Sequence, residues 1–509
     1  MAMTPSDSRP GERRLHPWSW LFVLLTQLRH IALPALALLL FGSGETWELF
    51  GGLAALGLAA YSLVYSFGFR YRIDAEELVV REGIFDRTER HIPFARIQNL
   101  THQRNPLHRL FGVTELRVES AGGHEPEAKM SVITLAEAAE LEALLRRHAR
   151  GPALAVPAAT DGSATLHALS FADLLRIGLA SNRGMVVVAA AVGYLFQSGH
   201  DPKDLPWVQA LWDWLEPRAA SYAQDHSAME VAIAVTVAIV LALLLLRLMS
   251  ISIAILRHYG FRLSREGGRI GTEEGLLTRR HAGAAIDKIQ RLSIEEPLLM
   301  RWMGRQALRV DVAGGLVAMN DEAQVRLRWL APIALPAQVQ QLIQTLAPSL
   351  DAQHLRWQSL HPGAFARMVR APSVLLGLIA LAALLHGMHT GWTVQGWIAS
   401  LAVGLIVLVW LRARGWLRFT AYAIDADSLH FRQGWLNRQW QSLELKRIQG
   451  VLLRQGPLDR WNGMASVAVE VAGTGAIEYS IDIPYLGFDE AQAMYAELSR
   501  AASGPLAGR

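Results

Sequence analysis

Six apolar stretches punctuate the chain, and they fall into three pairs. Ile31 to Gly44 precedes Gly51 to Phe69; Gly184 to Phe196 precedes Met229 to Leu246; Val374 to Leu385 precedes Gly396 to Leu411. A helix rises about 1.5 Å per residue, so a hydrocarbon core of about 30 Å asks for roughly 20 residues. The second member of each pair meets or approaches that length. The first is shorter and must recruit flanking residues or lean on its partner. The pattern predicts six transmembrane helices in three hairpins. The alternative, short buried helices of soluble domains, is disfavoured by the threefold pairing.

Between the hairpins the period changes to two. RYRIDAEELVVREGIF, YGFRLSREGGRIGTEEGLL and TAYAIDADSLHFRQGWL alternate as strands broken by turns. Helical spacing returns at the end of each segment, in LAEAAELEALLRR, LPAQVQQLIQTL and FDEAQAMYAEL. Each polar segment thus reads as antiparallel strands forming a small barrel closed by a C-terminal helix.

These segments are copies of one another. RIQNLTHQRNPLHRLFG (96 to 112), KIQRLSIEEPLLMRWMG (288 to 304) and RIQGVLLRQGPLDRWNG (447 to 463) align without gaps. Arg96, Lys288 and Arg447 lead; Gln98, Gln290 and Gln449 follow the shared isoleucine. Arg109, Arg301 and Arg460 occupy the turn, followed by Leu110, Trp302 and Trp461, then by Gly112, Gly304 and Gly463. Downstream, ELRVESAGG, ALRVDVAGG and SVAVEVAGT repeat an acid at Glu119, Asp311 and Glu470. Leu15-His16-Pro17, Leu166-His167-Ala168 and Leu360-His361-Pro362 open each unit. The chain is an internal triplication.

The boundaries follow. A flexible tail (1–14) leads to an interfacial helix and hairpin (15–69) and the first globular domain (70–148). A linker (149–164) precedes the second helix and hairpin (165–257), with an enlarged loop at 197–227, and the second domain (258–348). A short join (349–359) leads to the third hairpin (360–413), the third domain (414–503) and a tail (504–509). Trp207, Trp212 and Trp214 in the enlarged loop suit a helix lying in the membrane interface.

Composition agrees with a membrane protein: 51% of residues are apolar and the mean hydropathy is +0.20. Arginines flank the outer ends of the hairpins, at Arg13, Arg14, Arg70, Arg72, Arg247, Arg257, Arg367, Arg370, Arg412 and Arg414, whereas the inner turns are acidic or neutral. Both termini and all three globular domains are therefore expected in the cytoplasm, under a multi-pass bacterial inner membrane. The net charge of +4 gives no nucleic-acid signature.

The strand order, the IQ strand, the PLxRxFG-type turn and the closing helix resemble the bacterial PH-domain family. Three such modules, each after a hairpin, are similar to the YdbT-like membrane proteins. The resemblance implies PH-like barrels, a scaffold or envelope-maintenance role, and a smaller single-PH-domain membrane companion. It implies docking of proteins or lipid headgroups rather than catalysis. A lipid or peptide transporter formed by the six spans is the alternative, and a membrane enzyme acting on lipid the third reading.

Candidate chemistry is sparse. There is no cysteine, which removes disulfides and thiolate chemistry. His102 and His108, His386 and His389, and His124 beside Glu125 form neither HExxH nor a helix-spaced pair with an obvious third ligand. No Gly-x-Ser-x-Gly elbow or phosphate loop occurs, so no catalytic, cofactor or metal residue is assigned. The repeat cations are the candidates for headgroup contact, each contributing about 1 kcal/mol beside an anionic surface. The competing expectation pairs Arg109, Arg301 and Arg460 with Glu119, Asp311 and Glu470, and places Trp302 and Trp461 in the core.

Overall fold

The computed structural model describes residues 12–502 except 26–56, 58–67, 75, 84–87, 95–96, 121–127, 150–163, 187, 190–192, 194–205, 313–327, 353, 391–392 and 472–479. The first module comprises strands β1 (Arg13–Arg14), β2 (Arg70–Ile73), β3 (Glu77–Glu82), β4 (Thr88–Pro93) and β5 (Ile97–Arg104), the short helix α1 (Pro106–Leu110), β6 (Val113–Ser120), β7 (Ala128–Thr134) and α2 (Leu135–Ala149). The second has β8 (Ala164–Ala168), α3 (Phe171–Ala180), α4 (Pro206–Asp225), α5 (Ala228–His258), β9 (Arg262–Glu266), β10 (Arg269–Glu274), β11 (Arg279–Ala285), β12 (Ile289–Glu296), α6 (Leu298–Trp302), β13 (Gln306–Val312), β14 (Trp329–Ala334) and α7 (Pro336–Leu346). The third has β15 (Gln358–Ser359), α8 (Ala364–Thr390), α9 (Thr393–Phe419), β16 (Ala421–Ile424), β17 (Ser428–Gly434), β18 (Arg438–Glu444), β19 (Ile448–Arg454), α10 (Pro457–Trp461), β20 (Met464–Val471), β21 (Ile481–Gly487) and α11 (Phe488–Ala502).

The chain divides into two compact units, residues 1–262 with 271–283, and residues 263–270 with 284–509. In the first, β1 to β4 form one antiparallel sheet, and β7, β6 and β5 another that continues into β11. Leu78, Val80 and Ile92 meet Leu116, Val118 and Met130 between these sheets, and Ala138 and Leu141 of α2 close the core. The period-two pattern puts these residues on inner faces, and burying each large one contributes about 1.5–3 kcal/mol.

In the second unit seven strands are bonded in the order β14-β13-β12-β18-β17-β16-β15, while β19, β20 and β21 make a separate sheet. Leu429, Phe431, Leu443, Val467, Val469, Ile481 and Ile483 form its core with Ala491, Met494 and Leu498 of α11. The expected closed barrel is not formed. β12 bonds outward to β18 of the next module, and β19 bonds to β20 alone among the described residues. The outer edges serve the joints between modules.

The membrane segments correct a second expectation. Three helices among the described residues are long and apolar enough to span: Ala228–His258, Ala364–Met388 and Val394–Phe419. The six expected spans are not reached. Nearly all of the first hairpin, and most of Gly184 to Phe196, lie outside the described residues, and the latter stretch is too short by itself for about 30 Å. The buried residues along the middle of α8 and α9 are Ala380, Ala383, Ala399 and Ala402, small side chains that let two backbones approach. The loop helix α4 carries Asp213, Glu216, Arg218 and Pro217, and Trp212 and Trp214 on it are exposed.

The α8–α9 hairpin is an insertion within its module, and in the first module β1 likewise pairs with a strand far along the chain. β1 pairs with β2, Arg13 opposite Tyr71, and β15 pairs with β16, Gln358 opposite Tyr422. The first residues called a flexible tail thus end in a sheet, where Arg13 also binds Glu140 at 2.6 Å. The recurring histidines staple the same entry point. His16 donates its backbone N–H to Val132 O at 3.2 Å, and His361 donates to Tyr485 O at 3.0 Å. In the third module the chain thus enters and leaves the apolar hairpin α8–α9 from neighbouring strands of one sheet.

Candidate docking surface

The IQ strand of one module pairs with the third strand of the next, counted from β2, β9 and β16, and the register is the same at both joints. In the first unit β5 lies antiparallel to β11, with Thr101 opposite Ala282 and Arg104 opposite Arg279. In the second, β12 lies antiparallel to β18, with Ser293 opposite Gln441 and Glu296 opposite Arg438. Under the repeat alignment these are equivalent pairs. Burial follows: Gln290 is 5% exposed, Ser293 2%, Ala282 3% and Gln441 8%.

The signature residues divide around this geometry. Arg96 lies outside the described residues, and for Gln98 and Glu119 the backbone alone is described, in β5 and β6. Lys288 ends a short 3-10 turn, and its carbonyl accepts from Gln290 Nε2 at 3.3 Å. Arg447 donates to Glu444 at 3.3 Å and to the carbonyl of Asp287 in the preceding module. Arg301 donates to Trp435 O at 3.3 Å, and Leu298 N–H donates to Asn437 Oδ1 at 3.3 Å, so α6 seats on the β17–β18 hairpin. Gly112, Gly304 and Gly463 have φ of +66°, +63° and +64°, the left-handed region that glycine adopts without a Cβ clash. Gln449, Arg109 and Arg460 are exposed.

The expected pairing of turn cation with strand acid is overturned where both are described. Asp311 is bound by Arg291 at 2.6 Å and by Arg309 at 3.5 Å, while Arg301 points to the next module. No ion pair joins Arg460 to Glu470 among the described residues. The acid recurs for a different reason: Glu119, Asp311 and Glu470 each lie directly opposite the residue after the glutamine, at Asn99, Arg291 and Gly450. Arg291, which also donates to Ser480 O, was not legible in the repeat because its counterparts are Asn and Gly.

Trp302 and Trp461 are not core. They are 76% and 80% exposed, and Leu110 at the same position is 77% exposed. Each follows the turn cation on a five-residue helix. Two of these turns are tied to membrane entry segments. Asp459 of α10 binds Arg367 of α8 at 2.8 Å. Phe111, just after α1, packs against Trp18 at 5.2 Å and Phe22 at 6.0 Å, where residues 19–25 are helical.

At the joint in the second unit, a groove of about 610 Å³ opens beside the end of α9, bordered by Glu296, Arg412, Trp416, Trp435 and Arg438. Arg432 and Arg438 both lie over the Phe419 ring, at 5.5 and 4.6 Å. Burial, and then the charge of Arg438, push the Arg432 guanidinium below its usual range. At the opposite end of β18, burial works to raise the Glu444 carboxyl, but hydrogen bonds from Ser349 and Lys446, and the charges of Lys446 and Arg447, outweigh it and hold it below the usual range. The groove carries both charges at the end of α9, with Glu295 and Glu296 facing Arg412 and Arg438.

Membrane-spanning helices inserted into repeated β modules, without an assigned catalytic group, define a membrane-anchored protein of PH-like domains. The profile described as Bacterial PH domain matches residues 21–149, 174–347 and 363–502, and the chain belongs to that family. It is 22% identical over 357 residues to the UPF0699 transmembrane protein YdbT of Bacillus subtilis (strain 168), covering 66% of this chain and 69% of the relative. No solved structure matches.

Proposed function

We propose that the protein is a scaffold of the bacterial inner membrane whose PH-like modules, on the cytoplasmic side, rest their α1, α6 and α10 turns on lipid headgroups. The observation that carries this reading is the recurring exposed apolar residue after the turn cation, Leu110, Trp302 and Trp461, with the cation itself also exposed at Arg109 and Arg460. An aromatic body with an adjacent cation suits the interface, where the ring lies among headgroups and the guanidinium meets phosphate. The link from Asp459 to Arg367, at the foot of α8, supports the placement of α10 near the bilayer. The arginines at the outer ends of the hairpins support the cytoplasmic side.

Because the native chain lacks cysteine, Trp461→Cys can carry a spin label alone. In proteoliposomes containing anionic lipid, the label at 461 should report headgroup depth, while one at Glu497→Cys, exposed on α11, should report water. A fully aqueous label at 461 contradicts the headgroup contact.

A further inference from the structure

Two joints of identical register use up one IQ strand and one third strand at each contact. They leave over one strand of each kind. β4, the third strand of the first module, is a terminal strand of its sheet, and so is β19, the IQ strand of the last module. Sheet edges of this kind present a row of backbone donors and acceptors to another strand.

The side chains on β19 differ from those of its paired counterpart in the way an uncovered surface would. Gln290 and Ser293 on β12 are buried under β18, 5% and 2% exposed. Their counterparts Gln449 and Leu452 are exposed, and Leu452 puts an apolar side chain, 38% exposed, where the covered joint has a serine. β19 also lacks the acids that guard many free edges; its one charged residue is Arg454, bonded to Asp482. On β4 the exposed charges are already matched to β3: Glu89 to Arg81 at 2.8 Å, Arg90 to Glu82 at 3.3 Å and His91 to Glu77 at 3.0 Å. They do not stand in the way of a strand bonding to the outer edge.

We propose that the chain self-associates head to tail, β19 of one copy pairing antiparallel with β4 of a second in the register used at both internal joints. That register sets Leu452 opposite Arg90, Leu453 opposite Glu89 and Arg454 opposite Thr88. The Arg90 stem then covers Leu452. The contact is heterologous, since two different surfaces meet, so it builds rings or rows in the membrane plane rather than a closed two-fold dimer. It is independent of the headgroup contact proposed above.

The cysteine-free background gives a direct test. Directly opposed residues on antiparallel strands have Cβ atoms about 4.5–5.5 Å apart, within reach of a short bis-maleimide. Full-length Arg90→Cys and Leu452→Cys chains with different tags, co-expressed and treated in native membranes, should give a mixed-tag adduct. So should Thr88→Cys with Arg454→Cys. A chain carrying both Arg90→Cys and Leu452→Cys should form a ladder beyond the dimer. Leu452→Lys should reduce the Thr88–Arg454 adduct several-fold, with the chain still inserted and protease-resistant. Adducts confined to Leu452→Cys with itself, or a chain that stays single in all of these tests, overturn the proposal.

Discussion

His430 lies on β17 with none of its surface exposed, its ring nitrogens 2.8 Å from the hydroxyls of Ser428 and Ser442. Burial pushes its pKa down to about 4, against a weaker upward pull from Asp425 and Asp351. In the unfolded chain it titrates near about 6.5. Folding is therefore unhindered by this group above about pH 6.5. As the pH falls toward 4 the unfolded state takes up the proton first, and stability drops, by about 3 kcal/mol in full. Thermal unfolding of His430→Gln in micelles should show a shallower loss between pH 6.5 and 4 than the parent chain; parallel curves would remove His430 as the cause. At this scale the sequence was partly legible. The glycines that recur after the turn take a left-handed backbone, which glycine alone tolerates freely. The acids and tryptophans were misplaced, because their surroundings depend on strand register and on which side of a turn meets protein.

The elements were read more securely, since period predicts them directly. All three closing helices stand where the spacing changed, and α5 begins at a capping box in which Glu230 accepts from Ser227 N–H at 2.7 Å. What period cannot show is that β15 pairs with β16 on the far side of the α8–α9 hairpin. Nor does it show how closely α9 meets the β17–β18 hairpin. A Cβ on Gly415 would lie 2.1 Å from Trp435 Cδ1. Gly415→Ala should therefore displace the Trp435 ring and destabilise the third module by about 1–3 kcal/mol. Combined with Trp435→Ala, the loss should be smaller than the sum of the single changes. Additive melting shifts would mean that the two residues do not meet.

For the whole molecule, the triplication was plain in the sequence and the connection between the copies was not. The shared Ile-Gln signature is the same whether the strand's outer edge is covered or open, because edge bonds are made by backbone and not by side chains. The register between modules brings together residues far apart in sequence, so no local pattern records it. Yet the joints decide how the modules act. At each joint a seven-stranded sheet bonds one module to the next, and the α8–α9 hairpin is inserted between β15 and β16 of the second of these sheets. Cysteines placed at Ser293 and Gln441 of the full-length chain test this most directly. Oxidised in native membranes and cut by protease between the two sites, the chain should stay linked through a 293–441 disulfide, and a partner cysteine at His430 should not trap. Efficient trapping at 430 with none at 441, or no trapping at all, would contradict strand pairing between the modules.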